Sequence, residues 1–247
     1  GFDLKKFIAE AIGTACLTYV ACGSGGRSAN SGSIGYGNAD SLAFGFTYIA
    51  MAYSIGYVSE CHINPAVSLC MLIKKKMSPC EFGYYIGAQF LGGLVGSTLL
   101  GLCKRGKWTH LYSNYIRWEK VGKEEYSAGG MTVYKKDGWY YVDGLLVELI
   151  LTFIFVFAYQ GAKDSKNPDG KHAGIIIGLS YALVHFMALD YTRACINPAR
   201  YLGPALIEWF EKGDPLANES IKQIWIFFVG PFAGGALSGL IYDALSA

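Results

Sequence analysis

The sequence has little charge. Only 16% of its 247 residues are Asp, Glu, Lys or Arg, whereas a typical soluble domain contains about 25%. The net charge is only +2, which argues against the basic face of a nucleic-acid-binding protein. The seven cysteines form no C-x-x-C pair, so they predict no metal site. We also find no nucleophile–base pair and no phosphate-binding loop. We therefore expect no enzyme activity, no cofactor and no nucleic-acid partner.

Hydrophobic sequence is abundant instead, at 52% of all residues. A helix needs about 20 apolar residues to cross the roughly 30 Å hydrocarbon core of a bilayer. Six apolar segments are near this length. They lie at roughly 7–23, 41–60, 81–103, 143–162, 173–192 and 222–245. This pattern predicts an all-α, multi-pass integral membrane protein with the lipid bilayer as its partner.

Two further apolar segments are too short to cross a membrane. They run from Asn64 to about Ile73 and from Asn197 to about Glu208, which at 1.5 Å per residue is about half a bilayer. Each begins with Asn-Pro, and Asn is a favoured helix N-cap while Pro is favoured at the first helical position. Half-length helices occur in membranes where they are buried in protein or line a water-filled cavity.

The two halves of the chain resemble each other. "AEAIGT" (Ala9–Thr14) matches "VELILT" (Val147–Thr152), and each half continues with a second span, an Asn-Pro-Ala sequence and a glycine-rich third span. Because three spans per repeat is an odd number, the second copy must cross the membrane in the opposite direction. We therefore divide the single domain, 1–247, into a first repeat at 1–103, a long extracellular connector at 104–142 and a second, inverted repeat at 143–247.

An inverted repeat brings the two Asn-Pro helix starts together in the middle of the membrane. Each helix N-terminus carries about half a positive charge, so the meeting point repels cations. Side-chain amides directed into a narrow passage would donate hydrogen bonds to passing water. The residues of this predicted central constriction are Asn64, Pro65, Ala66, Asn197, Pro198 and Ala199.

Several motifs together identify a family. The segments "HINPAV", "INPAR", "AQFLGG" and "VGPFAGG", with the two matched halves, resemble the aquaporin (major intrinsic protein) family over essentially the whole chain. The resemblance implies six transmembrane helices plus two re-entrant half-helices, one pore per subunit and a homotetramer. It also implies that Glu10 and Glu148 support the loops before the half-helices, and that His62 lines the inner half of the pore.

The resemblance also places a selectivity filter at four positions. These are Phe44, His185, Ala194 and Arg200. Phe44 and His185 are bulky and would narrow the pore to about one water molecule, and Arg200 offers hydrogen-bond donors and a positive charge. We expect a passive water channel that excludes protons and ions. Two alternatives are a facilitator for small neutral solutes (glycerol, urea, ammonia or peroxide) and a closed or gated structural membrane protein.

Two residues depart from the family pattern. Glu60 and Arg193 stand four residues before the central asparagines, where the family usually has glycine. One interpretation is that both side chains point away from the pore and pair locally; the other is that they form a gate. Orientation is harder to predict, because the 104–142 connector is itself rich in Lys and Arg. From the resemblance we expect cytoplasmic termini, in the plasma membrane or an internal vesicle membrane.

Overall fold

The computed structural model describes residues 1–24, 36–103, 119–120, 125–128, 131–134, 139–188, 191–210 and 215–246. Its elements are listed here in chain order. They are α1 (Leu4–Cys16), a π-helical turn (Leu17–Ala21), α2 (Cys22–Ser24), α3 (Tyr36–Ser59), α4 (Pro65–Ile73), α5 (Pro79–Cys103), β1 (Glu119–Lys120), β2 (Glu125–Ala128), β3 (Met131–Tyr134), α6 (Trp139–Lys163), a 3₁₀ turn (Gly170–His172), α7 (Ala173–Ala188), α8 (Pro198–Phe210), α9 (Pro215–Lys222) and α10 (Ile224–Ser246).

Within the described ranges, six helical spans are long and apolar enough to cross a membrane, which confirms the predicted fold class. They are Leu4–Ser24, Ala39–Ser59, Pro79–Cys103, Tyr141–Lys163, Gly170–Ala188 and Ile224–Ser246. The first passes through α1, the π-helical turn and α2 without a break. The predicted boundaries agree within a few residues, and the largest difference is in the fifth span. α7 ends at Ala188 rather than at 192, because the chain must leave the helix early to approach the start of α8.

The two half-length helices also form where the Asn-Pro pairs predict them. α4 begins at Pro65 with Asn64 as its N-cap, in an extended conformation with φ −154° and ψ 120°. α8 begins at Pro198 and continues to Phe210, two residues beyond the predicted end. Each helix therefore starts at its proline, the one residue whose missing N–H costs nothing at the first helical position.

Glycines allow the first and third spans of each repeat to pack closely. A Cβ at Gly92 in α5 would overlap the carbonyl oxygen of Ala11 in α1, and a Cβ at Gly234 in α10 would overlap that of Leu149 in α6. Small residues let membrane helices approach backbone to backbone. The same glycine-dependent contact is thus made once in each half of the chain.

The connector between the repeats contains a small antiparallel sheet in the order β1-β2-β3. No alternating pattern was identified in this polar segment, so the sheet was not predicted. Residues 139–142, at the end of the predicted connector, instead form the first turn of α6. The remaining residues of the connector lie outside the described part of the chain.

Candidate functional site at the meeting of two half-helices

The two central asparagines lie at one site. The side-chain nitrogen of Asn64 donates to the carbonyl oxygen of Ile196 at 2.9 Å. The side-chain nitrogen of Asn197 donates to the carbonyl oxygen of Ile63 at 2.8 Å. Each asparagine therefore bonds the residue immediately before the other one, and the two bonds are related by the symmetry of the inverted repeat.

The same asparagines cap the half-helices. The Asn64 side-chain oxygen accepts from the Ala66 N–H at 2.9 Å. The Asn197 oxygen accepts from the N–H groups of Ala199 at 3.0 Å and Arg200 at 3.1 Å. Because the oxygens are used in capping, the NH₂ groups are oriented toward the opposite half. The adjoining Pro65 and Pro198 are fully buried in the first turns.

The loops before the half-helices have matching backbones. Three residues in each loop have a positive φ, a conformation that costs a non-glycine residue about 1–2 kcal/mol. The strained positions recur at the same spacing from the two asparagines. They are Glu60 (63°), Cys61 (55°) and Ile63 (40°) in the first loop, and Arg193 (58°), Ala194 (48°) and Ile196 (43°) in the second.

Glu10 organises the first loop. One carboxylate oxygen accepts from the Ser59 hydroxyl at 2.6 Å and the His62 N–H at 2.9 Å. The other accepts from the Ile63 N–H at 2.6 Å and the Gln89 side chain at 2.8 Å. These four donors fix the strained loop in front of α4, since an irregular backbone inside a membrane must have its polar groups satisfied by protein.

Glu148 makes the equivalent contacts in the second repeat. It accepts from the Thr192 hydroxyl at 2.6 Å, the Cys195 N–H at 3.0 Å and the Ile196 N–H at 2.6 Å. Both glutamates are 0% exposed. In each half, a fully buried glutamate thus binds the loop that precedes the half-helix.

His62 lies in the first loop beside the start of α4. Its Nδ1 is 3.0 Å from the Ser68 hydroxyl, and its ring centroid is 5.0 Å from that of Tyr85 and 6.0 Å from that of Tyr159. The side chain is buried among aromatic rings.

Three of the four predicted filter residues are in contact. The rings of Phe44 and His185 are stacked, with centroids 4.2 Å apart and an interplanar angle of 20°. The guanidinium carbon of Arg200 lies 5.0 Å from the centroid of the Phe44 ring, a cation–π distance. Ala194 belongs to the same buried cluster as Phe44. The residues predicted as a filter therefore lie close to one another.

The stretch from the filter to the asparagine pair, which we call the central passage, is tightly packed. Phe44, His185, Arg200, Asn64 and Asn197 are each 0% exposed. In this conformation no water-sized space adjoins these side chains. The side chains of the central passage are therefore packed against other protein atoms in this structure.

The two unusual charged residues, Glu60 and Arg193, lie at the beginning of the two loops. Glu60 is exposed and Arg193 is half-buried. The Glu60 backbone oxygen accepts from the Tyr159 hydroxyl at 2.7 Å, whereas its carboxylate takes part in no salt bridge within the described part of the chain. Both residues have a positive φ, a conformation that glycine adopts without strain.

Tyrosines between the filter and the loops were missed by the sequence analysis. Tyr48 donates to the carbonyl of His62, and Tyr85 donates to that of Ser59 at 2.9 Å. The available signal was spacing: Tyr48 follows Phe44 by four residues, and Tyr181 precedes His185 by four.

Comparison with known proteins supports one family. The sequence profile of the major intrinsic protein family matches residues 2–242. The chain is 34% identical over 245 residues to Aquaporin Z of Bradyrhizobium diazoefficiens, covering 99% of this chain and 94% of the relative. It is 33% identical, with the same coverage, to Aquaporin Z of Rhodopseudomonas palustris.

A solved structure supports the fold independently. The X-ray structure of the aquaglyceroporin from Plasmodium falciparum superimposes with a TM-score of 0.81, at 19% identity, covering 99% of this chain and 97% of the other. At this identity the likeness concerns the fold alone. Members of the matched family are channels and not enzymes. The chain is an integral, multi-pass membrane protein that belongs to the major intrinsic protein family of channels.

Proposed function

We propose that the protein is a passive water channel that excludes protons and ions. The observation that carries this proposal is the reciprocal bonding of Asn64 and Asn197 at the starts of two half-helices. An asparagine amide has two N–H donors. One donor of each amide reaches the opposite loop, and the second is the donor that we assign to passing water.

Charge at this site supports the exclusion of cations. α4 and α8 both begin at the asparagine pair, and each contributes the partial positive charge of a helix N-terminus. Arg200 adds a full positive charge one helical position after Ala199. A cation stripped of its hydration shell would be repelled both at the asparagine pair and at Arg200, whereas water would meet only hydrogen-bond donors.

The filter supports water as the main solute. The rings of Phe44 and His185 are stacked with centroids 4.2 Å apart, and this close packing favours a small solute. Facilitation of small neutral solutes such as glycerol is the alternative within the same family. The relatives named aquaporin favour water.

A closed or gated structural protein is the second candidate. It is favoured by one specific observation, the complete burial of the filter and of both asparagines. A channel must open this packing to conduct.

The subunit arrangement follows the family. We propose a homotetramer with one pore per subunit and with both termini in the cytoplasm, in the plasma membrane or an internal vesicle membrane. Chemical cross-linking in lipid tests the assembly, and protease protection of sealed vesicles tests the orientation.

Transport assays on reconstituted protein decide between the candidates. Osmotic shrinkage of proteoliposomes is measured by stopped-flow light scattering, and glycerol entry is measured on the same vesicles. A water channel gives faster shrinkage than empty vesicles with no added glycerol entry. Rapid glycerol entry would favour the facilitator, and shrinkage equal to that of empty vesicles would favour the closed protein.

A further inference from the structure

A second aromatic pair lies one helical turn from the filter. Tyr48 follows Phe44 by four residues on α3, and Tyr181 precedes His185 by four on α7, so each shares a helix face with its filter residue. The ring centroids of Tyr48 and Tyr181 are 5.0 Å apart, compared with 4.2 Å for the filter pair. The two pairs form successive layers between the same two helices.

The tyrosine layer is level with the asparagine pair. The Tyr48 hydroxyl donates to the carbonyl of His62, and the carbonyl of the next residue, Ile63, accepts from the Asn197 amide at 2.8 Å. Tyr48 therefore reaches the loop backbone directly beside one of the two asparagine–loop bonds. It occupies a carbonyl that would otherwise be available as an acceptor for water.

Phe155 of α6 adds a third ring. Its centroid is 4.8 Å from that of Tyr181 and 5.5 Å from that of Tyr48. All three residues are 0% exposed. Three helices thus supply large, closely packed rings to the level where the asparagine amides meet.

The Tyr181 hydroxyl gives this layer a polar group for a solute. It is buried and lies close to the side chain of Asn197. A water molecule entering the layer would exchange hydrogen bonds with this hydroxyl and with the neighbouring Asn197 amide.

We propose that Tyr48 and Tyr181 form a second constriction of the central passage, which limits the flux and size of solutes together with the filter. This inference rests on the proposed transport function. Water would cross the layer by exchanging hydrogen bonds with the two hydroxyls as the rings separate. A larger solute would be stopped by the rings even after passing the filter.

The test compares Tyr48→Val, Tyr181→Val and the double variant with the wild type in proteoliposomes at equal protein content. We expect each single variant to raise water permeability roughly tenfold, as a barrier lowered by about 1.4 kcal/mol would. We expect the double variant combined with His185→Ala to admit glycerol faster than His185→Ala alone.

Tyr201→Val is the matched control. Tyr201 is also 0% exposed and its hydroxyl donates to the carbonyl of Ser220. Its ring, however, stacks on Phe227 with centroids 4.7 Å apart, in a separate buried cluster. This variant deletes a ring of similar size that does not lie at the central passage. Its water permeability should therefore equal that of the wild type.

The outcomes separate the two proposals. If the variants fold and the wild type conducts water, but the variants have no higher water permeability than the wild type, the proposal of a second constriction is wrong. If both single variants fail to fold while Tyr201→Val folds, the pair belongs to the structural core and the inference is also wrong. A third outcome is that vesicles with the wild type shrink no faster than empty vesicles while vesicles with Tyr48→Val shrink faster. This result would reject the proposed function and support the second constriction. If no variant conducts, both proposals fail.

Discussion

The side-chain nitrogen of Asn64 lies 2.9 Å from the carbonyl oxygen of Ile196, the residue that precedes Asn197. The first half-helix is thereby tied to the loop that leads into the second. The reverse bond, from Asn197 to Ile63, completes the pair. In each asparagine, the side-chain oxygen caps a half-helix and the side-chain nitrogen donates a hydrogen bond to the other repeat.

Replacing either asparagine should destabilise the protein, and the decrease in stability should differ between the two positions. An N-cap is worth about 0.5–2 kcal/mol, and the bond to the opposite loop adds about 1 kcal/mol. Asn197 accepts from two backbone N–H groups, whereas Asn64 accepts from one. We expect Asn197→Ala to lower the thermal unfolding midpoint more than Asn64→Ala does. Equal midpoints for the two variants would contradict the difference in capping.

Loss of the Glu10 carboxylate should be far more harmful than loss of a surface carboxylate. Glu10→Ala leaves four buried donors without their acceptor, and each such donor costs about 1–3 kcal/mol. Glu81→Ala is the control, since Glu81 pairs with Lys6 where the side chains are 21% and 35% exposed, and such pairs contribute about 0.2–1 kcal/mol. The measurement is the yield and unfolding midpoint of each purified variant. Similar midpoints would show that the carboxylate does not hold the loop.

Glycine at position 60 should stabilise the protein. Glu60 has a φ of 63°, which costs a residue with a Cβ about 1–2 kcal/mol and costs glycine little. We expect Glu60→Gly to raise the unfolding midpoint and Glu60→Ala, which keeps the Cβ, to leave it nearly unchanged.

The same two variants test whether Glu60 is a gate. A gate that depends on the carboxylate predicts that both substitutions alter water permeability or its dependence on pH between 5 and 8. Identical stopped-flow traces for both variants and the wild type across this range would exclude a gating role and leave only the backbone effect.

A smaller residue at the filter should admit larger solutes. His185→Ala removes the ring that stacks on Phe44, so we expect glycerol entry to exceed that of the wild type. His172→Ala is the control, because His172 is an exposed histidine in the turn before α7. If the two variants take up glycerol equally slowly, His185 does not limit solute size by itself, and the tyrosine layer below it becomes the stronger barrier.

The sequence was sufficient to predict the spans and half-helices, for physical reasons. Apolar length sets which helices can cross a membrane, and Asn64-Pro65 and Asn197-Pro198 are helix starts that depend only on local chemistry. The repeat then predicts that these starts meet. None of this requires knowledge of side-chain contacts.

Other features depend on tertiary contacts and could not be predicted in the same way. A tyrosine in an apolar span can face lipid or protein, so residue type alone does not place Tyr48 and Tyr181. Only their four-residue spacing from Phe44 and His185 indicates a shared helix face. The positive φ of Glu60 arises because the loop is held by Glu10, a residue 50 positions away in the chain. The π-helical turn at Leu17–Ala21 and the sheet in the connector also lack a sequence pattern that would identify them.

The central claim is that water crosses at the asparagine pair while protons do not. The most direct measurement records osmotic shrinkage and proton leak in the same proteoliposomes, with a pH-sensitive dye inside. The account predicts shrinkage well above that of empty vesicles and a proton leak equal to theirs. Shrinkage no faster than in empty vesicles, or a proton leak that rises with the amount of protein, would contradict it.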